Sequence, residues 1–178
     1  GDDNPATNTI HSTQFDAPLL GEEVAIQRFV KAGPGSVTIE PLAVYGPTSA
    51  NPIVTFGWYQ AGNASSITAL FAVTNSPEGN GQRLNPPLSA SSTTTFDPGD
   101  SVFGFYSRWP FFQNRTLYSE DSLNTFSGAI PHHVRIYPLR NTDGSAVPNA
   151  YILATEEHVS GFDYQDLVVI VRNVAPAP

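Results

Sequence analysis

Cysteine is absent from this chain, which excludes a disulfide framework, a thiolate metal site and a thiol nucleophile. Positive charge is scarce. Eight lysines and arginines stand against sixteen aspartates and glutamates, a net charge of −8, so a phosphate-backbone partner is not expected. No apolar run approaches the ~20 residues a membrane-spanning helix requires. Long stretches of helical periodicity are missing as well. So are the phosphate loop, the dinucleotide fingerprint, the Gly-x-Ser-x-Gly elbow and the His-Glu-x-x-His zinc motif. Methionine does not occur, and the first residue is glycine, so the sequence reads as a mature or excised segment with any signal peptide removed.

What the chain has instead is 14 glycines and 16 prolines among 178 residues, the punctuation of many short strands joined by turns. Val54, Phe56 and Trp58 alternate with Thr55, Gly57 and Tyr59, and a hairpin follows at Gly62-Asn63. The segment 22–30 reads as a strand ended by Gly33-Pro34-Gly35. Pro41 interrupts the alternation of 37–45, as at an edge strand or a bulge. Residues 75–92 read as a long loop and 107–130 as irregular chain, while Asn141-Thr142-Asp143-Gly144 is a turn. The pattern predicts an all-β, antiparallel β-sandwich of jelly-roll type, monomeric, with one core. Residues 1–20 form an extended arm, 21–174 the single domain, and 175–178 the start of a Pro/Ala linker to a neighbouring domain.

Carboxylates concentrate in one place. Tyr151-Ile152-Leu153-Ala154 and the run Leu167 to Val171 read as a hairpin that brings Glu156, Glu157, Asp163 and Asp166 to its connecting end. Like charges crowded there repel unless a cation sits among them. An all-oxygen donor set favours a hard ion, and a flexible loop favours Ca2+ over Mg2+. Glu156, Asp163 and Asp166 are the expected ligands, with Glu157 beside them; the loop before offers Asp121 and Asn124. The alternative is a solvated acidic turn. His132 and His133 point to opposite faces of a strand, so a zinc site is not expected.

Four elements in order, Asp97-Pro98-Gly99-Asp100 with Val102 to Tyr106, Leu117 to Asn124, His132-His133-Val134-Arg135, and Glu156-Glu157 with Asp163-Tyr164-Gln165-Asp166, span roughly 96–174. Together they resemble a family of calcium-associated β-sandwich domains of secreted bacterial proteins that ends in an "ED, loop, DYND" motif. Gln165 stands where that family tends to have Asn, and Glu157 where it tends to have Asp; both lengthen the side chain. The resemblance implies an extracellular or cell-surface accessory module, not a catalyst.

Aromatic residues beside polar ones are the second candidate site. Arg108-Trp109-Pro110-Phe111-Phe112, with Arg115 and Tyr118, is expected to present Trp109 from a loop, where a ring can stack on the apolar face of a sugar. Trp58, in a strand, is expected in the core. The leading reading is therefore a non-catalytic, Ca2+-stabilised carbohydrate-binding module whose partner is a polysaccharide or cell-surface glycan. A structural spacer or adhesion module is the alternative. A glycoside hydrolase is third, because adjacent acids such as Glu120-Asp121 diverge on a strand. The sequons at Asn63-Ala64-Ser65 and Asn114-Arg115-Thr116 matter only in a glycosylating host.

Overall fold

The computed structural model describes residues 22–46, 51–74, 82–157 and 166–178. The expected N-terminal arm and Asp163 lie outside these residues. Twelve strands follow in order: β1 (Phe29–Lys31), β2 (Val37–Tyr45), β3 (Val54–Gln60), β4 (Thr68–Val73), β5 (Gln82–Leu84), β6 (Thr95–Phe96), β7 (Phe103–Trp109), β8 (Arg115–Tyr118), β9 (Val134–Arg140), β10 (Ala146–Thr155), β11 (Leu167–Arg172) and β12 (Val174–Pro176). One sheet has the order β12-β1-β7-β3-β4, with β8 also on β7. The other has the order β5-β2-β11-β10-β9, with β6 also on β2. All pairings are antiparallel. The β-sandwich expectation holds at this level.

Period-two alternation places the core. Phe103, Phe105 and Trp109 of β7, Val54 and Phe56 of β3, and Leu167, Val169 and Val171 of β11 all belong to one buried cluster between the sheets. Aromatic rings dominate it: Phe29 packs edge-on to Phe105 at 5.4 Å, and Phe56 stacks on Phe71 at 5.1 Å. Gly57 sits where β3 and β4 slip register; a Cβ there would lie 2.1 Å from the carbonyl oxygen of Thr68, so only glycine fits.

Several expectations need correction. Residues 107–130 are not irregular throughout: β7 runs on to Trp109, and β8 returns as its hairpin partner. Trp109 is therefore a strand residue pointing inward and fully buried, whereas Trp58 is only half-buried and stacks on Phe96 at 5.0 Å. β2 is not an edge strand, because β11 pairs it on one side and β5 and β6 on the other. Pro41 instead marks a bulge, where Val168↔Ala43 gives way to Val169↔Pro41. Of the segment 22–30 only Phe29 and Val30 join a sheet, as the start of β1. At the other end, Ala175 and Pro176 of the expected linker 175–178 are not free: Ala175 pairs with Val30 and Pro176 with Phe29. The 75–92 loop includes β5.

Candidate metal centre

β10 ends at Thr155 and β11 begins at Leu167, and these two residues are register partners. Their pairing fixes the residues just beyond the ladder. Glu156 N–H donates to the carbonyl of His133 (2.9 Å), Asp166 N–H to that of Thr155 (3.3 Å), and Tyr45 N–H to that of Asp166 (2.9 Å). The backbone is thus held by β2, β9 and β10, and three carboxylates converge. One oxygen from each of Glu156, Glu157 and Asp166 lies within 4.8 Å of the others. The three residues are 1%, 3% and 4% exposed. Asp166 Oδ2 also accepts from the Glu157 N–H at 3.3 Å.

Burial changes what this proximity means. A solvated acidic turn screens its charges, whereas charges 4.8 Å apart repel by roughly 3–4 kcal/mol per pair at an effective dielectric near 20. A proton, a basic neighbour or a bound cation must offset that cost. Arg115 approaches from the β7–β8 hairpin: its Nη1 donates to the Glu157 carbonyl at 2.5 Å, and its guanidinium lies 4.6 Å over the Phe126 ring. The donor set, carboxylates and carbonyls with no sulfur, suits a hard divalent ion.

Two expected ligands lie elsewhere. Asp121 accepts from His132 N–H (2.9 Å) and from Gln27 Nε2 (3.3 Å), and burial holds its carboxyl above the usual range. Asn124 spends its side chain on Tyr118, accepting from that residue's N–H at 2.8 Å and donating to its carbonyl at 2.9 Å. Neither belongs to the three-carboxylate group.

His133 supports the centre from behind. Its Nδ1–H donates to the Glu156 carbonyl at 2.8 Å, and its Nε2 accepts from the Ile130 N–H at 3.2 Å. That arrangement requires the neutral ring, since a second ring proton would face an N–H donor. Burial holds the His133 pKa below its ordinary value. An unfolded chain takes up the proton near pH 6.5 and the folded one does not, so stability falls as pH drops through that value. Denaturant midpoints should therefore decline from pH 7.5 towards pH 5, and an NMR titration should find the His133 ring taking up its proton at lower pH than an exposed histidine does. A ring already protonated at pH 6.5 in the folded protein would contradict this assignment.

Most of the aromatic candidate is buried or engaged within the fold. Trp109 is 0% exposed and its Nε1–H donates to Ser107 Oγ at 2.9 Å, so it is unavailable for stacking on a sugar. Arg108 Nε donates to Thr116 Oγ1 (3.2 Å), and Tyr118 OH donates to the carbonyl of Ala64 (3.2 Å). Phe112 packs against the core. Only Phe111 stands out, 55% exposed, with its ring at 77° to that of Phe112, so the two do not form a flat platform.

Sequence reasoning missed the buried ion pair Arg135–Glu23, 2.6 Å long with both side chains 1% exposed. Arg135 alternates with Val134 and Ile136 and so faces away from the core cluster; nothing in the local pattern predicts that the segment before β1 meets it there. Comparison with family models, with curated proteins and with solved structures finds no match.

Proposed function

We propose that this chain is a non-catalytic accessory module of an exported protein, a β-sandwich pinned at one end by a divalent cation, Ca2+ before Mg2+. The observation that carries the reading is the burial of Glu156, Glu157 and Asp166 within 4.8 Å of one another at the end of the β10–β11 ladder. When bound, the ion would neutralise these carboxylates; the chain's own part is to hold them on a fixed backbone end. Arg115 and His133 tie the same backbone to β8 and to the start of β9, so occupancy stiffens several elements together. An extracellular setting suits a carboxylate site of this kind, because free calcium there is abundant enough to fill weak sites. Equilibrium dialysis of the intact chain against radioactive calcium is expected to find one ion per molecule. Glu156→Gln should abolish that binding while the fold persists, and retention of calcium by this variant would move the site elsewhere.

Glycan contact is a second reading, and one observation favours it. Phe111 is a large exposed ring on the β7–β8 hairpin, whose Arg115 reaches the acidic group. On this reading Phe111, not Trp109, meets the sugar. Phe111→Ala should then reduce retention on polysaccharide columns with an unchanged melting temperature; unchanged retention leaves the structural or adhesive role.

A further inference from the structure

The first and last strands of the sandwich are neighbours. β1 and β12 pair antiparallel through Phe29↔Pro176, Val30↔Ala175 and Lys31↔Val174, and Ala177 N–H continues the ladder to the carbonyl of Arg28 at 3.0 Å. The chain before Phe29 and the chain after Pro176 thus leave the ladder at the same end. The ladder in turn joins the rest of its sheet through one register pair, Phe29↔Phe103.

Residues 22–28, just before β1, form a strap rather than a strand. Its anchors follow one another along the chain: Glu22 to Arg140 (2.9 Å), Glu23 to Arg135 (2.6 Å), Val24 N–H to the Ile136 carbonyl (2.8 Å), and Gln27 to Asp121 by a reciprocal pair of 2.9 and 3.3 Å. Pulled from Glu22, this strap gives up those anchors one at a time. Pulled from Pro178, β12 releases Arg28 Nη2, then the Arg28 carbonyl, then the β1 register in sequence. Antiparallel hydrogen bonds lie perpendicular to the strands, so a load at one end opens them serially, whereas a load along a strand is shared by the whole ladder.

We infer that the module yields to tension between its two flanks by peeling, and that it serves as a pendant unit rather than as a link under load. Among the described residues, no ladder of more than one register pair on that path is loaded along its length. This inference rests on strand order and on the anchors of the strap, and stands whether or not the acidic group binds an ion.

Because the chain has no cysteine, pairs of introduced cysteines define the pulling points in single-molecule force spectroscopy on the full chain. Glu22→Cys with Pro178→Cys loads the strap and the β1–β12 ladder. Phe111→Cys with Thr142→Cys pulls β7 and β9 from opposite ends along their length, against the whole β3–β7 register from Thr55↔Arg108 to Gln60↔Phe103. All four positions are exposed. At one loading rate the first pair should unfold at a clearly lower mean force than the second. Equal or higher force for the first pair would overturn the inference. Ala25→Cys with Pro178→Cys repeats the test, should the Glu22 handle disturb the strap.

Discussion

Trp109→Ala is expected to lower stability by about 3–5 kcal/mol, roughly 6–20 °C in melting temperature for a domain of this size. The residue is fully buried at the end of β7, near Ile53 and Gly46, with its indole N–H on Ser107. Truncation leaves a large cavity between two sheets whose register is fixed on both sides, so little collapse is available to fill it. Trp109→Phe keeps most of the volume and loses the hydrogen bond, and should cost less. Thermal melts of the two variants check this ordering. The informative contrast is with Phe111→Ala, in the 3₁₀ turn Pro110–Phe112, which should leave the melt within about 0.5 kcal/mol of the parent. A stable Trp109→Ala protein would contradict the burial on which the rejection of a Trp109 sugar platform depends.

The second large effect lies at Glu23 and Arg135. Either single substitution, Glu23→Ala or Arg135→Ala, breaks a buried ion pair and should cost about 3–5 kcal/mol. Glu23 Oε2 also sits 3.4 Å from His132 Nδ1, so its loss disturbs a second contact. Replacing both partners by apolar residues of similar volume, Glu23→Leu with Arg135→Met, removes both desolvation costs and should recover most of the loss. Urea titrations of the parent, Glu23→Leu, Arg135→Met and the double variant form a double-mutant cycle, and the coupling should be strongly favourable to the pair. Additive losses would mean that the strap before β1 does not hold Arg135 as described.

Much of the architecture was legible in the sequence because strand period and turn chemistry are local. The hairpin from β3 to β4, the turn at Asn141 to Gly144 and the β10–β11 pairing all follow from alternation flanked by Gly, Asn, Asp or Pro. The failures are tertiary in origin. Trp109 opens an aromatic run that reads as a loop, yet it completes the inward face begun by Phe103 and Phe105. Val174–Pro176 carries linker composition, but an edge position on β1 tolerates its proline. Of the expected ion ligands, Glu156, Glu157 and Asp166 come together because they flank one ladder, a local fact. Asp121 and Asn124 were assigned by proximity in type rather than in space, and the fold gives them other partners. Arg135 with Glu23 could not be read at all, since 112 residues separate them.

The cation is the claim on which the functional reading turns, and a calcium-dependent melt addresses it most directly. The intact chain, stripped with chelator and then titrated, should gain about 2.7 kcal/mol at calcium a hundredfold above its dissociation constant, roughly 5–11 °C. Asp166→Asn should melt no lower than the parent in chelator, because one repelling charge is gone, and should not respond to calcium. Identical melting of the parent in chelator and in millimolar calcium would contradict the cation and leave three buried carboxylates neutralised by protons and basic neighbours alone.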